Sequence, residues 1–313
     1  MRIHISTPID DASRIVTLFQ RALPAAQVGL VEGSIVTGRD PAQADYVVTG
    51  YRNATLFCGE RRMKAIFAFS VGVGHLLSLP NLPRDVPLIR LEDAGMADQM
   101  IRYVLAATLR FAQRLDVYAR QQRGRAWHQL APRAPQEIQV GVLGLGVIGS
   151  AIAQALAAQG FAVRGFSRTP KSVAAVQCVF GDARLDEFLN GLDVLVSILP
   201  LTAQNVGILN RGTLALLRDG AHVINIGRGA HLVEADLLAL LAAGKLSGAT
   251  LDVFHDEPLP ADHPFWARPE IAITPHISGV TLPDQAVAQI ADKIRRLERG
   301  LPVTGVVDRE RGY

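Results

Sequence analysis

Two cysteines in 313 residues, Cys58 and Cys178, with neither a CxxC spacing nor a His-Cys cluster, exclude a disulfide framework and a zinc site. Both are expected to be buried thiols. Lysine is almost as scarce: Lys64, Lys171, Lys245 and Lys293 are the whole complement, so the basic side is arginine, scattered and nowhere gathered into a run. A net charge of +3 carried that way leaves no footprint for nucleic acid, although the isoelectric point is near 9.1. No apolar run approaches the ~20 residues of a membrane span. The opening Met1-Arg2-Ile3-His4-Ile5 is a strand pattern without a signal-peptide core. The expectation is a soluble, cytoplasmic protein that takes no metal, nucleic acid or membrane as partner.

What is present fills two cores, since the chain is 49% hydrophobic. Short apolar runs alternate with helical patterns from end to end, the signature of α/β domains with parallel sheets and crossover helices. Residues 3–5, 28–31, 46–49, 65–69 and 88–91 read as the five strands of a flavodoxin-like domain. Seven further runs, at 138–143, 161–163, 176–180, 194–199, 222–226, 249–254 and 271–274, describe a Rossmann domain. Between the two series, residues 100–120 predict one uninterrupted helix with Ile101, Val104, Leu105, Leu109 and Leu115 on its apolar face. A last amphipathic helix over 284–298 follows Leu282-Pro283 and stops before Gly300. With that helix returned to the first domain, residues 1–99 plus 283–313 form a substrate-binding domain and 100–282 a dinucleotide-binding domain.

The strand at 138–143 runs into Gly144-Leu145-Gly146-Val147-Ile148-Gly149, and a helical pattern starts at once behind it. A GxGxxG in that context is a dinucleotide fingerprint, with the pyrophosphate seated on the helix N-terminus. Sites that prefer NAD carry an acidic residue about twenty positions on, to bind the ribose hydroxyls. This chain has Ser167-Arg168-Thr169-Pro170-Lys171 instead. A hydroxyl, a guanidinium and an ammonium in one turn suit a 2′-phosphate, so NADPH is expected over NADH. The alternative is an ordinary solvated basic turn.

Reducing a ketone with hydride requires a proton donor, a cation for the acid group and a carboxylate behind the donor. His276, after Ile273-Thr274-Pro275 at the end of the last strand, is the candidate donor. Most of the eight histidines read as bland: His255 and His263 lie in a polar loop, and His4, His75, His222 and His231 have no acid in a comparable frame. A carboxylate against an imidazole favours its protonated form, and Asp256 and Glu257 compete for that role. Arg228, between Gly227 and Gly229 at the end of a buried strand, offers a fork of donors to a 2-oxo carboxylate. Gly72-Val73-Gly74 after the fourth strand presents amides that suit the same group. Tyr51 and Arg52 read equally as pocket lining or surface loop.

Taken together, these residues resemble the D-isomer-specific 2-hydroxyacid dehydrogenase family over essentially the full chain. The family's patterns are matched by Gly144 to Gly149, Leu199-Pro200-Leu201-Thr202, Asn225 to Gly229, Leu251-Asp252-Val253-Phe254 with Glu257-Pro258, and Thr274-Pro275-His276. The resemblance implies Glu257 over Asp256, Arg228 as the substrate arginine and His276 as acid/base. It also implies that Leu199, Pro200, Ile226 and Gly227 line the cofactor and that Asp252 lies near the nicotinamide carboxamide. Arg90-Leu91-Glu92-Asp93-Ala94-Gly95-Met96, Ser167-Arg168 and the ending at 307–313 are similar to a subgroup acting on the smallest 2-oxo acids, glyoxylate and hydroxypyruvate. A homodimer built through the nucleotide domain, with the 121–136 arm contributing, is implied as well. His75-Leu76 departs from the family's usual apolar-Asp pair and puts side-chain preference in question. A bulkier 2-oxo acid, or a dinucleotide-sensing regulator on the same fold, are the rival readings.

Overall fold

The computed structural model describes residues 1–6, 12–30, 44–50 and 63–312. Val31, Tyr51, Arg52, Cys58 and Tyr313 lie outside them. The chain divides into two compact units, Met1–Gly95 with Thr281–Tyr313, and Met96–Val280.

The first unit carries a parallel sheet of order β2-β1-β3-β4-β5, formed by β1 (Arg2–Ser6), β2 (Gln27–Leu30), β3 (Tyr46–Thr49), β4 (Ala65–Ala68) and β5 (Leu88–Ile89). Every residue of β3 and β4 is buried. A strand covered on both faces must be apolar throughout, which is why these strands read as continuous runs and not as alternation. Helix α1 (Ala12–Ala22) turns Ile15 and Phe19 inward, and the short α2 (Gly74–Leu77) covers the opposite face with Leu76.

The second unit begins with α3 (Met96–Ala112) and α4 (Leu115–Arg123). The single helix expected over 100–120 is therefore broken. Arg114 sits at φ 54, in the left-handed region. No residue of α4 is buried, and Leu109 and Leu115, expected on an apolar face, are 40% and 52% exposed. The fully buried positions of α3 are Met100, Val104, Ala107 and Thr108, with Phe111 and Ala112 packed at the margin of the core; beyond Arg114 no side chain of α4 is buried, and its tie to α3 is the Arg110–Asp116 ion pair at 2.5 Å.

Its seven-stranded parallel sheet has the order β12-β11-β10-β9-β6-β7-β8, from β6 (Gln139–Leu143), β7 (Ala162–Ser167), β8 (Gln177–Phe180), β9 (Val194–Ser197), β10 (Ala221–Asn225), β11 (Leu246–Leu251) and β12 (Ile271–Ile273). Helices α3 and α5 (Val147–Ala158) cover one face, while α6 (Leu185–Leu189), α7 (Arg211–Ala215) and α8 (Glu234–Ala242) serve the other. Burying each large apolar side chain of such strands contributes about 1.5–3 kcal/mol. The strand order reverses between β6 and β9, and ligands of open α/β sheets bind at the carboxyl ends beside that switch. Several strands end earlier than the sequence pattern suggests, β11 at Leu251 and β10 at Asn225, so the expected site residues fall just past the sheet edge. The one described cysteine, Cys178, is half-buried, not buried as expected, because β8 is the edge strand.

Helix α9 (Pro283–Glu298) returns the chain to the first unit. Pro283 opens it, Gly300 at φ 69 follows its end, and Ala286, Val287, Ile290, Ala291 and Ile294 join that unit's core. Among the described residues no helix is long and apolar enough to cross a membrane, and no group of three or more His, Cys, Asp or Glu side chains could hold a metal ion.

Candidate active site

Gly144 to Gly149 forms the turn from β6 into α5. A Cβ at Gly149 would collide with the carbonyl of Gly144, so only glycine lets the helix start this close to the strand. Gly146, the N-cap of α5, faces open space: a Cβ there would meet nothing within 4 Å. The first-turn amides of a helix have no intrahelical acceptor, and α5 has no acidic residue in that turn. This arrangement fits a dinucleotide pyrophosphate. At the end of the neighbouring β7, Ser167 is half-buried with its hydroxyl on the Thr169 carbonyl at 2.8 Å, while Arg168 and Lys171 are exposed. No carboxylate stands within residues 167–171 to repel a 2′-phosphate.

The chemical residues follow β10, β11 and β12. Arg228 lies just past β10, its Nη1 donating to the Gly227 carbonyl at 2.6 Å. Two close approaches fix this turn. A Cβ at Gly227 would press on the Leu199 backbone at 3.1–3.2 Å, and one at Gly229 would collide with the Phe254 carbonyl. The turn is thus wedged between the loops after β9 and β11, which brings Leu199, Ile226, Gly227 and Arg228 to one edge. Behind it His231, fully buried, accepts the Arg228 amide on Nδ1 at 3.3 Å. Burial lowers this imidazole to about 4, so it is neutral.

Glu257, not the exposed Asp256, reaches His276. Its Oε2 lies 2.8 Å from His276 Nδ1, while Oε1 accepts the Phe254 amide at 3.0 Å. The carboxylate therefore fixes both the imidazole and its own loop, leaving His276 Nε2 without a hydrogen bond among the described residues. His276 and Glu257 are 46% and 36% exposed, within reach of a ligand.

Asp252 is fully buried at the end of β11. Its Oδ1 accepts the Thr274 hydroxyl at 2.6 Å and the Ile277 amide at 2.8 Å, and its Oδ2 accepts the Ser278 amide at 2.8 Å. Desolvating a carboxylate costs several kcal/mol, and three donors at about 1.5–3 kcal/mol each offset it. The hydroxyl of Tyr103, on α3, meets Thr274 Oγ1 at 2.6 Å; burial pushes its pKa up to about 12 and keeps it protonated. Sequence reasoning missed Tyr103, although a hydroxyl on the face of α3 that also carries Met100, Val104 and Ala107 was the available signal. It also missed that His263 has its own acid, with Nε2 3.1 Å from Glu234 Oε2.

Gly72, Val73 and Gly74 belong to the other unit. Ser70 Oγ donates to the Gly72 carbonyl at 2.8 Å, Val73 is buried as the N-cap of α2, and a Cβ at Gly74 would meet nothing within 4 Å.

A nucleotide sheet whose carboxyl edge gathers a glycine loop, an arginine and a histidine–glutamate pair is the plan of a dehydrogenase acting on small acids. The family described as D-isomer specific 2-hydroxyacid dehydrogenase, NAD binding domain, matches residues 105–278. The chain belongs to that family. Among its relatives, a glyoxylate/hydroxypyruvate reductase A of Klebsiella pneumoniae is 42% identical over 318 residues, and one of Yersinia enterocolitica 40% identical over 318, each alignment covering 100% of both chains. Among solved structures, a D-isomer specific 2-hydroxyacid dehydrogenase from Xanthobacter autotrophicus in complex with NADPH and MES superposes with a TM-score of 0.94 at 38% identity, covering 100% of this chain and 99% of that one. An NADPH-dependent glyoxylate/hydroxypyruvate reductase from Sinorhizobium meliloti in complex with NADP and sulfate gives 0.92 at 33% identity, with the same coverage.

Proposed function

We propose that this protein reduces small 2-oxo acids, glyoxylate and hydroxypyruvate, to the 2-hydroxy acids at the expense of NADPH. The observation that carries the chemistry is the His276–Glu257 pair, with Nδ1 tied to the carboxylate at 2.8 Å and Nε2 left over. Full-length relatives bearing that activity in their names support the substrate, and neighbours solved with NADPH and NADP support the cofactor.

NADPH, when bound, supplies the hydride to the carbonyl carbon. Amides at the start of α5 hold the pyrophosphate, and Ser167, Arg168 and Lys171 take the 2′-phosphate. Leu199, Pro200, Ile226 and Gly227 line the cofactor. Arg228 binds the substrate carboxylate and polarises the neighbouring carbonyl. As charge develops on oxygen, His276 Nε2 delivers its proton and is left neutral, and Glu257 holds the ring in the orientation that requires Nε2 to face the substrate. Met96–Val280 is assigned as the dinucleotide-binding domain. The unit of Met1–Gly95 with Thr281–Tyr313 is assigned as the substrate domain, its Val73 and Gly74 amides available to a carboxylate.

Replacing Arg228 by Gln tests the substrate assignment. Its expected result is a large rise in KM for glyoxylate, with the Kd of NADPH unchanged; an unchanged KM would remove Arg228 from the substrate site.

A cytoplasmic homodimer belongs to the same reading. Leu115 and Tyr118 on α4 are 52% and 36% exposed, and Trp127 is wholly exposed on an arm pinned by Tyr118 to Leu130 and by Gln121 to His128. An ordered arm that holds a tryptophan in water fits a second copy of the chain. Trp127→Asp is expected to lower the mass in sedimentation from two chains to one; a wild-type mass would count against this interface.

A further inference from the structure

We infer that Tyr103 is a positioning residue for His276, acting through Thr274 and Asp252, an inference that rests on the acid role proposed for His276. The direction of the hydrogen bonds follows from counting protons. Thr274 has one hydroxyl proton and gives it to Asp252 Oδ1 at 2.6 Å, so the 2.6 Å contact between Tyr103 and Thr274 Oγ1 is Tyr103 donating. Asp252 in turn accepts the amides of Ile277 and Ser278. One buried carboxylate thus grips the chain on both sides of His276.

That grip has a reason in the backbone. His276 sits at φ 56, in the left-handed region that non-glycine residues seldom occupy, with its amide on the Thr274 carbonyl at 3.0 Å. A short turn in that conformation holds one side-chain direction only while its flanks are fixed. Helix α3 supplies the fixed wall. One turn before Tyr103, Gln99 clamps Val280 by its carbonyl at 2.8 Å and its amide at 3.3 Å, and Met96 and Met100 pack so closely on Gly279 that a Cβ there would meet them at 2.8–3.2 Å. Residues 96, 99, 100 and 103 form one face of the helix, and that face backs residues 274–280. Tyr103 is the member of that face that reaches the hydrogen-bond system of Asp252. Removing its hydroxyl leaves Thr274 free to turn and loosens the turn that aims Nε2.

The test uses the full chain with Tyr103→Phe, Thr274→Ser, Thr274→Val and His276→Ala, measuring kcat and KM for glyoxylate and the Kd of NADPH. Tyr103→Phe is expected to lower kcat roughly tenfold and Thr274→Val more, the scale of losing catalytic alignment. KM and the NADPH Kd should stay within about twofold, because binding does not depend on where the proton donor points. Thr274→Ser, which keeps the hydroxyl, should restore wild-type kcat. Wild-type kcat in Tyr103→Phe overturns the inference, as does an equal loss in Thr274→Ser and Thr274→Val. Should Tyr103→Phe fail to fold, the serine–valine comparison still tests the Thr274 hydroxyl through which Tyr103 acts, and an equal loss in the two overturns the inference. Wild-type turnover in His276→Ala refutes the acid role itself and this inference with it, whereas loss in His276→Ala alone refutes only the positioning.

Discussion

Two histidine–glutamate pairs stand in the same unit, and they are bonded differently. His276 meets Glu257 at 2.8 Å and His263 meets Glu234 at 3.1 Å. In the second pair both imidazole nitrogens are spent, Nε2 on Glu234 and Nδ1 on the Phe265 amide, and the ring packs edge-on against Phe265 at 4.5 Å. Its side chains are 16% and 24% exposed, against 46% and 36% in the first pair. An imidazole with both nitrogens engaged caps a turn. One with Nε2 left over and its neighbours Thr274, Ile277 and Ser278 anchored on Asp252 is equipped to move a proton. The comparison teaches that a carboxylate partner alone does not mark a catalytic histidine; what the second nitrogen does decides.

The strongest way to break the comparison is to truncate each histidine. His276→Ala should lower kcat by ~10²–10⁴, the contribution of a general acid, while His263→Ala should leave kcat near wild type and cost about 1 kcal/mol of stability. Comparable kinetic losses in both would erase the distinction. Exchanging the carboxylates sharpens it. Glu257→Gln should lower kcat on the order of 10²-fold, because a neutral amide no longer supports an imidazolium; Glu234→Gln should shift only the melting temperature.

Two other histidines mark the opposite extreme. Burial lowers both His222 and His231 from 6.5 to about 4, so the folded chain keeps them neutral where the unfolded chain protonates them. The unfolded state then binds more protons, and stability is lost as pH falls from 6.5 towards 4, by about 1.4 kcal/mol per pH unit for each group. Urea melts at pH 7 and pH 5 should show this loss, and His222→Gln should halve it. An unchanged slope in that variant would contradict the assignment. The smallest effect concerns the cofactor turn: Arg168→Ala should raise KM for NADPH roughly fivefold and scarcely touch NADH, the mark of one charge-assisted contact to phosphate. Equal changes for both cofactors would return the turn to ordinary surface.

Most of the fold was legible because buried parallel strands leave mainly apolar runs, as β3, β4 and β9 do. The glycine loop was legible because its spacing stands between a strand and a helix. Arg228 and His276 could be proposed because they follow strands at a predictable edge of the sheet, whereas the choice of Glu257 over Asp256 came from the resemblance to the family and not from spacing. Other features depend on contacts that no local pattern encodes. The break at Arg114 coincides with the loss of buried positions in α4, and amphipathic spacing looks the same with or without a core to bury it in. The Tyr103–Thr274 contact joins residues 171 positions apart, and His263 finds Glu234 from 29 away. Asp252 was visible as a residue, but its use as an anchor for residues 274–278 appears only once the turn has folded over it.

The measurement that tests the central claim most directly is the initial rate of NADPH or NADH oxidation by the wild-type chain with glyoxylate, hydroxypyruvate, pyruvate and phenylpyruvate. The account predicts fast turnover of the first two with NADPH and slow turnover of all four with NADH. Silence with all four acids, despite tight binding of NADPH, would contradict it.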